Sequence, residues 1–171
     1  MTASANPSAL DRAAFVARFG AVFEHSPWIA EAAFDAGLPE DAETAEGLHR
    51  TLCAVLRGAP KARKRALIDA HPDLAGRLAR AGALTADSTR EQSAAGLDQL
   101  SDEDFTRFTE LNKAYREKFG FPFIFAVKGR SKDEVLAAFE SRLANDPDSE
   151  FETALAQIER IALLRLKELL P

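Results

Sequence analysis

A single cysteine, Cys53, stands in a chain of 171 residues. It excludes an internal disulfide, and a reducing compartment fits that absence. No apolar run reaches the roughly 20 residues that a membrane-spanning helix needs. The opening MTASANPSAL has no hydrophobic signal core, and the closing LKELLP is not a peroxisomal tripeptide. A cytoplasmic location is therefore expected, with no membrane partner. There is no Gly-rich phosphate loop, no paired metal-ligand spacing and no nucleophile elbow, and no metal site is expected. Internal repeats, low-complexity tracts and linkers are missing as well. Positive charge is in the minority: 22 Lys and Arg face 27 Asp and Glu, a net charge of −5. That balance argues against a nucleic-acid partner. It leaves room for a small anionic substrate, because one local arginine outweighs a weak global field.

What is present is a normal soluble composition, 46% hydrophobic and 29% charged, in a length that suits one domain, residues 1–171. The pattern predicts an all-α bundle of about eight helices. Ser8-x-x-Asp11 opens a helix that carries Phe15, Val16, Phe19 and Phe23 at helical spacing. Pro27 starts a second helix through Phe34, stopped by Gly37 and Pro39. Helices follow over Ala42–Arg57 and Lys61–Ala70. His71-Pro72 breaks the last of these, since a residue before proline avoids the helical region. Asp73 caps a short helix to Ala81, and Thr85 or Asp87 caps another to about Ala95. Ser101-x-x-Asp104 opens a long helix through Lys118. Ser131-x-x-Glu134 opens one to about Ala144, and the last runs from Ser149 to about Leu169. Residues 119–130, FGFPFIFAVKGR, do not fit a helix. No second strand candidate exists to pair with them, so a buried, extended, non-helical segment is expected.

Chemistry concentrates in residues 71–97. His71 lies at a helix end, where Pro72 fixes the direction of the chain. It is either a helix C-cap or an acid–base group aimed off that end. Ser88, Glu91 and Gln92 fall at i, i+3 and i+4, on one helix face with Leu84 and Ala95. That small, semi-polar face suits a pocket wall. In the last helix Phe151, Ile158, Ala162 and Leu169 form one narrow stripe, and Arg165 sits in its middle, opposite Arg160 and Lys167. A buried arginine must be paired, with a carboxylate such as Glu91, or must line a cavity and clamp an anion. Methionine suits the same stripe, so Arg165→Met is expected to fold at least as well as the native chain. The buried backbone of Phe123, Ile124, Phe125 and Ala126 needs hydrogen-bond partners, which a flat, purine-like heterocycle can supply. His25 and His49 show no polar constellation. Cys53 lies on the Leu48, Leu52, Leu56 side of its helix and is expected in the core. The run KARKR fits a solvated helix face.

HPDL (71–74), LTADSTREQSAAGL (84–97), LNKAYREKFGFPFIFAVKG (111–129) and IERIALLRLKEL (158–169), taken in that order, resemble the family of 2-oxo-4-hydroxy-4-carboxy-5-ureidoimidazoline (OHCU) decarboxylases of urate breakdown. The resemblance implies an all-helical homodimer without a cofactor that converts OHCU to (S)-allantoin and CO2. It puts the family's histidine on His71, beside Pro72. The family's serine, glutamate and glutamine fall on Ser88, Glu91 and Gln92, and its arginine on Arg165. Its backbone contacts fall on Phe123, Ile124, Phe125 and Ala126. Two alternatives are a helical interaction module without catalysis and an enzyme of the same fold acting on a related imidazolone or ureido acid.

Overall fold

Residues 6–76 and 82–170 are described by a computed structural model. Among them lie eight α-helices, two short 3-10 turns and no strand. The helices are α1 (Arg12–Phe19), α2 (Trp28–Asp35), α3 (Ala45–Gly58), α4 (Lys61–Asp69), α5 (Ala86–Ala94), α6 (Asp102–Phe119), α7 (Lys132–Arg142) and α8 (Pro147–Leu169). The all-α expectation holds. The short helix expected from Asp73 to Ala81 falls largely outside the described residues, since 77–81 are not among them.

Caps account for most helix starts. The Ala14 N–H donates to Asp11 Oδ1 at 2.8 Å, so Asp11 is the N-cap of α1 and Ser8 lies in a 3-10 turn before it. Thr44 caps α3 after a 3-10 turn over Glu40–Glu43, which moves that helix start from Ala42 to Ala45. Thr85, rather than Asp87, caps α5. Ser131 and Glu134 form a complete capping box on α7. Ser101 caps α6 in the same way, but the Asp104 carboxylate turns to Lys132. Asp146 accepts from the Ser149 N–H, so α8 begins at Pro147, whose missing N–H costs nothing at a first helical position. Phe23 is buried as expected, but from the turn after α1, which stops at Phe19.

The chain forms two compact units. The first comprises residues 1–70 and 158–171. Its core is built from Phe15, Phe19, Phe23, Ile29, Leu48, Leu52, Leu56, Leu67, Ile68, Ile158, Ala162 and Leu166. The second comprises residues 71–157 and centres on Phe108, Tyr115, Phe123, Val135, Phe139, Ala154 and Leu155. Gly120 ends α6 in the left-handed conformation, φ +75°, which glycine adopts without strain. The chain then runs without regular structure through residues 121–127, all buried except the half-buried Phe125. The buried extended segment expected from the sequence is therefore found.

Candidate active site

Within the second unit, the loop after α4 carries His71, Pro72, Asp73, Leu74, Ala75 and Gly76. His71 is buried and Pro72 half-buried. Three side chains from two helices tie the loop down. The Ala75 N–H donates to Gln92 Oε1 of α5 at 2.9 Å. Asn112 Nδ2 of α6 donates to the Leu74 carbonyl at 2.9 Å. Arg116 Nε of α6 meets Asp73 Oδ1 at 2.9 Å. Ala75 holds φ +53°, a conformation that a residue with a Cβ adopts at a cost and keeps only where its surroundings impose it. Here the Gln92 tie and burial on the loop's inner side impose it.

The face of α5 matches the i, i+3, i+4 expectation. Ser88 and Gln92 are buried and Glu91 is half-buried, while Thr89, Arg90, Ser93 and Ala94 point to solvent. Gln92 thus joins the predicted helix face to the predicted histidine loop. Asn112 was not singled out from the sequence. Its Oδ1 is buried with no hydrogen-bond partner, although its amide NH2 is used.

The segment 121–127 is held in another way. Phe123 stacks on Phe139 with ring centres 3.6 Å apart, and Tyr115 meets Phe123 edge-on at 5.3 Å. Arg142 lies over the Phe123 ring at 4.4 Å and donates from Nη1 to the Ile124 carbonyl at 2.5 Å. Its Nε donates to Glu150 Oε1 at 2.6 Å. Glu150 is 0% exposed and also accepts from Tyr115 Oη at 2.6 Å and Asn145 Nδ2 at 3.0 Å. Burial, then the bond to Glu150, pushes the Tyr115 phenol well above its ordinary value, so it stays a donor. At residue 126 the backbone N–H donates to Gln157 Oε1 at 3.0 Å. Two of the backbone groups expected to read a heterocycle therefore have side-chain partners. Arg142, Glu150 and Gln157 were not found from sequence, but a signal for the first two existed. Arg142 continues the Val135, Phe139 stripe of α7, and Glu150 precedes Ala154 and Ile158 at four-residue steps on α8.

In the first unit, Arg165 is 5% exposed, as the stripe predicts, and Arg160 and Lys167 are exposed. Its charge is matched by Glu24, with Nη1 and Nη2 both 3.1 Å from Oε2. Nη1 also faces the Val22 carbonyl at 3.3 Å. The paired carboxylate is thus Glu24, where Glu91 was the sequence-based example. Glu24 sits in an irregular turn that carries no periodic signal. His49 corrects a second expectation. Its Nε2 lies 2.7 Å from the Glu159 carbonyl and 3.2 Å from Cys53 Sγ. A carbonyl only accepts, so Nε2 carries the proton. Arg57 grips the Glu159 carboxylate at 2.6 and 3.0 Å. His49 therefore has polar company, and its work is to tie α3 to α8. Cys53 is half-buried rather than fully in the core. Burial, then the nearby Glu159 charge, pushes its thiol up to about 12, which leaves it a poor nucleophile. His25 is exposed, with φ +48°.

Comparison with known proteins gives the family and the fold. The profile of the family described as OHCU decarboxylase matches residues 8–167. The 2-oxo-4-hydroxy-4-carboxy-5-ureidoimidazoline decarboxylase of Haloferax volcanii is 39% identical over 159 residues, covering 93% of this chain and 90% of that protein. A crystal structure of (S)-allantoin synthase aligns with TM-score 0.77 at 33% identity over 96% of this chain, which spans about half of that longer chain, 52%. A crystal structure of OHCU decarboxylase in the presence of (S)-allantoin aligns with TM-score 0.66 at 26% identity, covering 84% of this chain and 90% of that one. With a family match over nearly its whole length and an all-helical fold shared with these structures, the chain belongs to the OHCU decarboxylase family.

Proposed function

We propose that the protein decarboxylates OHCU to (S)-allantoin in urate breakdown, without a cofactor, with His71 and Glu91 as catalytic residues. The observation that carries this reading is the hydrogen bond from Ala75 to Gln92 in a chain of this family. It joins the polar face of α5 to the loop that starts at His71. Both compact units are read as parts of one domain, since a single family profile spans residues 8–167.

The chemistry asks for these groups. As CO2 leaves, its bonding electron pair stays on the ring carbon, and the neighbouring C=N takes it up, so no external electron sink is needed. The enzyme must then hold the ring, move one proton off the hydroxyl and deliver one to carbon on a single face. An imidazole titrates near neutrality, so His71 suits the proton transfer. Glu91 orients or polarises that imidazole, or binds the ureido N–H groups. Ser88 and Gln92 line the wall. Gln92 has its carbonyl oxygen committed to Ala75, so its NH2 is the end offered to a ligand acceptor. Pro72 fixes the direction of the loop beside the substrate. The backbone of Phe123, Ile124, Phe125 and Ala126 binds the ring. Arg165 is assigned to the substrate carboxylate on the family resemblance, with Glu24 holding its planar fork in place. The resemblance also supports a homodimer, and the single free cysteine is consistent with a cytoplasmic setting.

The test is the ultraviolet absorbance of freshly generated OHCU with and without the protein. A decay accelerated in proportion to enzyme, unchanged by chelator, is the expected result. A decay rate independent of the protein would overturn the assignment. Sizing in solution checks the homodimer.

A further inference from the structure

The two side-chain ties on segment 121–127 differ in kind, and the difference says which one a ligand can replace. At Ile124 the carbonyl accepts from Arg142, whose charge is locked to the fully buried Glu150. Releasing that carbonyl means moving a buried, paired guanidinium, which leaves charges without partners. At Ala126 the N–H donates to Gln157 Oε1 at 3.0 Å. This second bond is neutral, and Gln157 is half-buried on α8, with one face towards solvent. A neutral hydrogen bond that solvent can replace adds little net stability, and another acceptor substitutes for it at small cost.

We propose that Gln157 is a positioning residue that holds the Ala126 N–H in the unliganded protein and gives it up to an acceptor oxygen of the ligand. The inference rests on the assignment of residues 123–126 to ligand binding and adds a polarity to it. The segment reads a carbonyl or carboxylate oxygen at residue 126 and reads no donor at residue 124, where the carbonyl is committed to Arg142. Gln157 then sets affinity through the bond that is displaced, without touching the reacting atoms. Deleting it should tighten binding, whereas deleting a direct ligand contact would weaken it.

The experiment compares the native protein with Gln157→Ala and Gln157→Glu. It measures KM and kcat with OHCU, calorimetric binding of (S)-allantoin, and the 15N-labelled Ala126 amide signal during the same titration. Alanine is a good helix former at this half-buried position, so Gln157→Ala should fold. Its KM and its (S)-allantoin Kd should fall about three- to tenfold with kcat unchanged, the range set by one net neutral hydrogen bond. Gln157→Glu should raise the Kd for (S)-allantoin, a neutral ligand, because a carboxylate grips the N–H more strongly. The Ala126 amide should shift on titration. A KM that rises or stays the same in Gln157→Ala, or an Ala126 amide that does not move while (S)-allantoin binds, overturns the proposal alone. A native protein that neither consumes OHCU nor binds (S)-allantoin overturns the proposed function, and this inference falls with it.

Discussion

Residues 71–76, half of them buried, and the buried 121–127 are both irregular backbone of the same unit, and they are secured by different means. The 71–76 loop hangs on two neutral amides, Gln92 and Asn112, and on a partly exposed ion pair from Asp73 to Arg116. It carries a left-handed alanine, and beneath it Asn112 has a buried oxygen without a partner. Segment 121–127 lies among stacked aromatic rings and is anchored at Ile124 by a buried charged pair, with a single neutral amide tie, from Gln157, at Ala126. On the proposed function, neutral and individually weak ties suit a loop whose histidine moves a proton. A packed aromatic strip with a charged anchor suits a surface that must present fixed backbone groups. On this view the loop supplies the chemistry and the segment supplies the binding geometry.

Substitutions can break that contrast, and their effects should fall in order. His71→Ala should be the most severe for turnover, lowering kcat by about two to four orders of magnitude while the protein still melts cooperatively. Equal losses in His25→Ala, at an exposed residue, would show that folding and not chemistry was measured. Next comes Arg142→Met, which strands Glu150 and should cost about 3–5 kcal/mol in a urea melt. Glu24 makes the same argument for the other unit. With Glu24 2% exposed at its side chain, Arg165→Met leaves a buried carboxylate and should also destabilise, while the double variant with Glu24→Leu should recover most of the loss. A milder effect belongs to Gln92→Leu, which leaves the buried Ala75 N–H unpaired, about 1–3 kcal/mol, and should lower kcat as the His71 loop loosens. Asp73→Asn should be smallest. The pair with Arg116 is 33% and 46% exposed, so about 0–1 kcal/mol is expected from a melt. An Asp73 effect larger than that of Arg142 would invert the contrast between the two regions.

Much of this was legible in the sequence because it depends on local repeats. The i, i+3, i+4 spacing put Ser88, Glu91 and Gln92 on one face, and the α8 stripe marked Arg165 as a buried charge. The aromatic stretch after Lys118 announced its own departure from helix. What was not legible depends on which distant groups meet. The stripe alone favoured Arg165→Met as harmless. Glu24 reverses that sign, and it comes from a turn with no period to read. The same stripe rule would have flagged Arg142 on α7 and Glu150 on α8, yet nothing local says that they pair with each other and with Ile124. Gln157 and Asn112 carry no pattern at all, since a lone polar residue on a helix becomes informative only once its partner is known. Helix starts moved by a few residues wherever a 3-10 turn or a proline at a first helical position competed with the expected cap, as at Ala45 and Pro147.

On the proposed function, His71 is a catalytic residue in the conversion of OHCU to (S)-allantoin. Circular dichroism of the allantoin formed from fresh OHCU, followed in time for the native protein and His71→Ala side by side, tests it most directly. The (S) signal should appear rapidly with the native protein, and no signal above the uncatalysed background should appear with the variant. A His71→Ala protein that builds the same (S) signal at the native rate would contradict it.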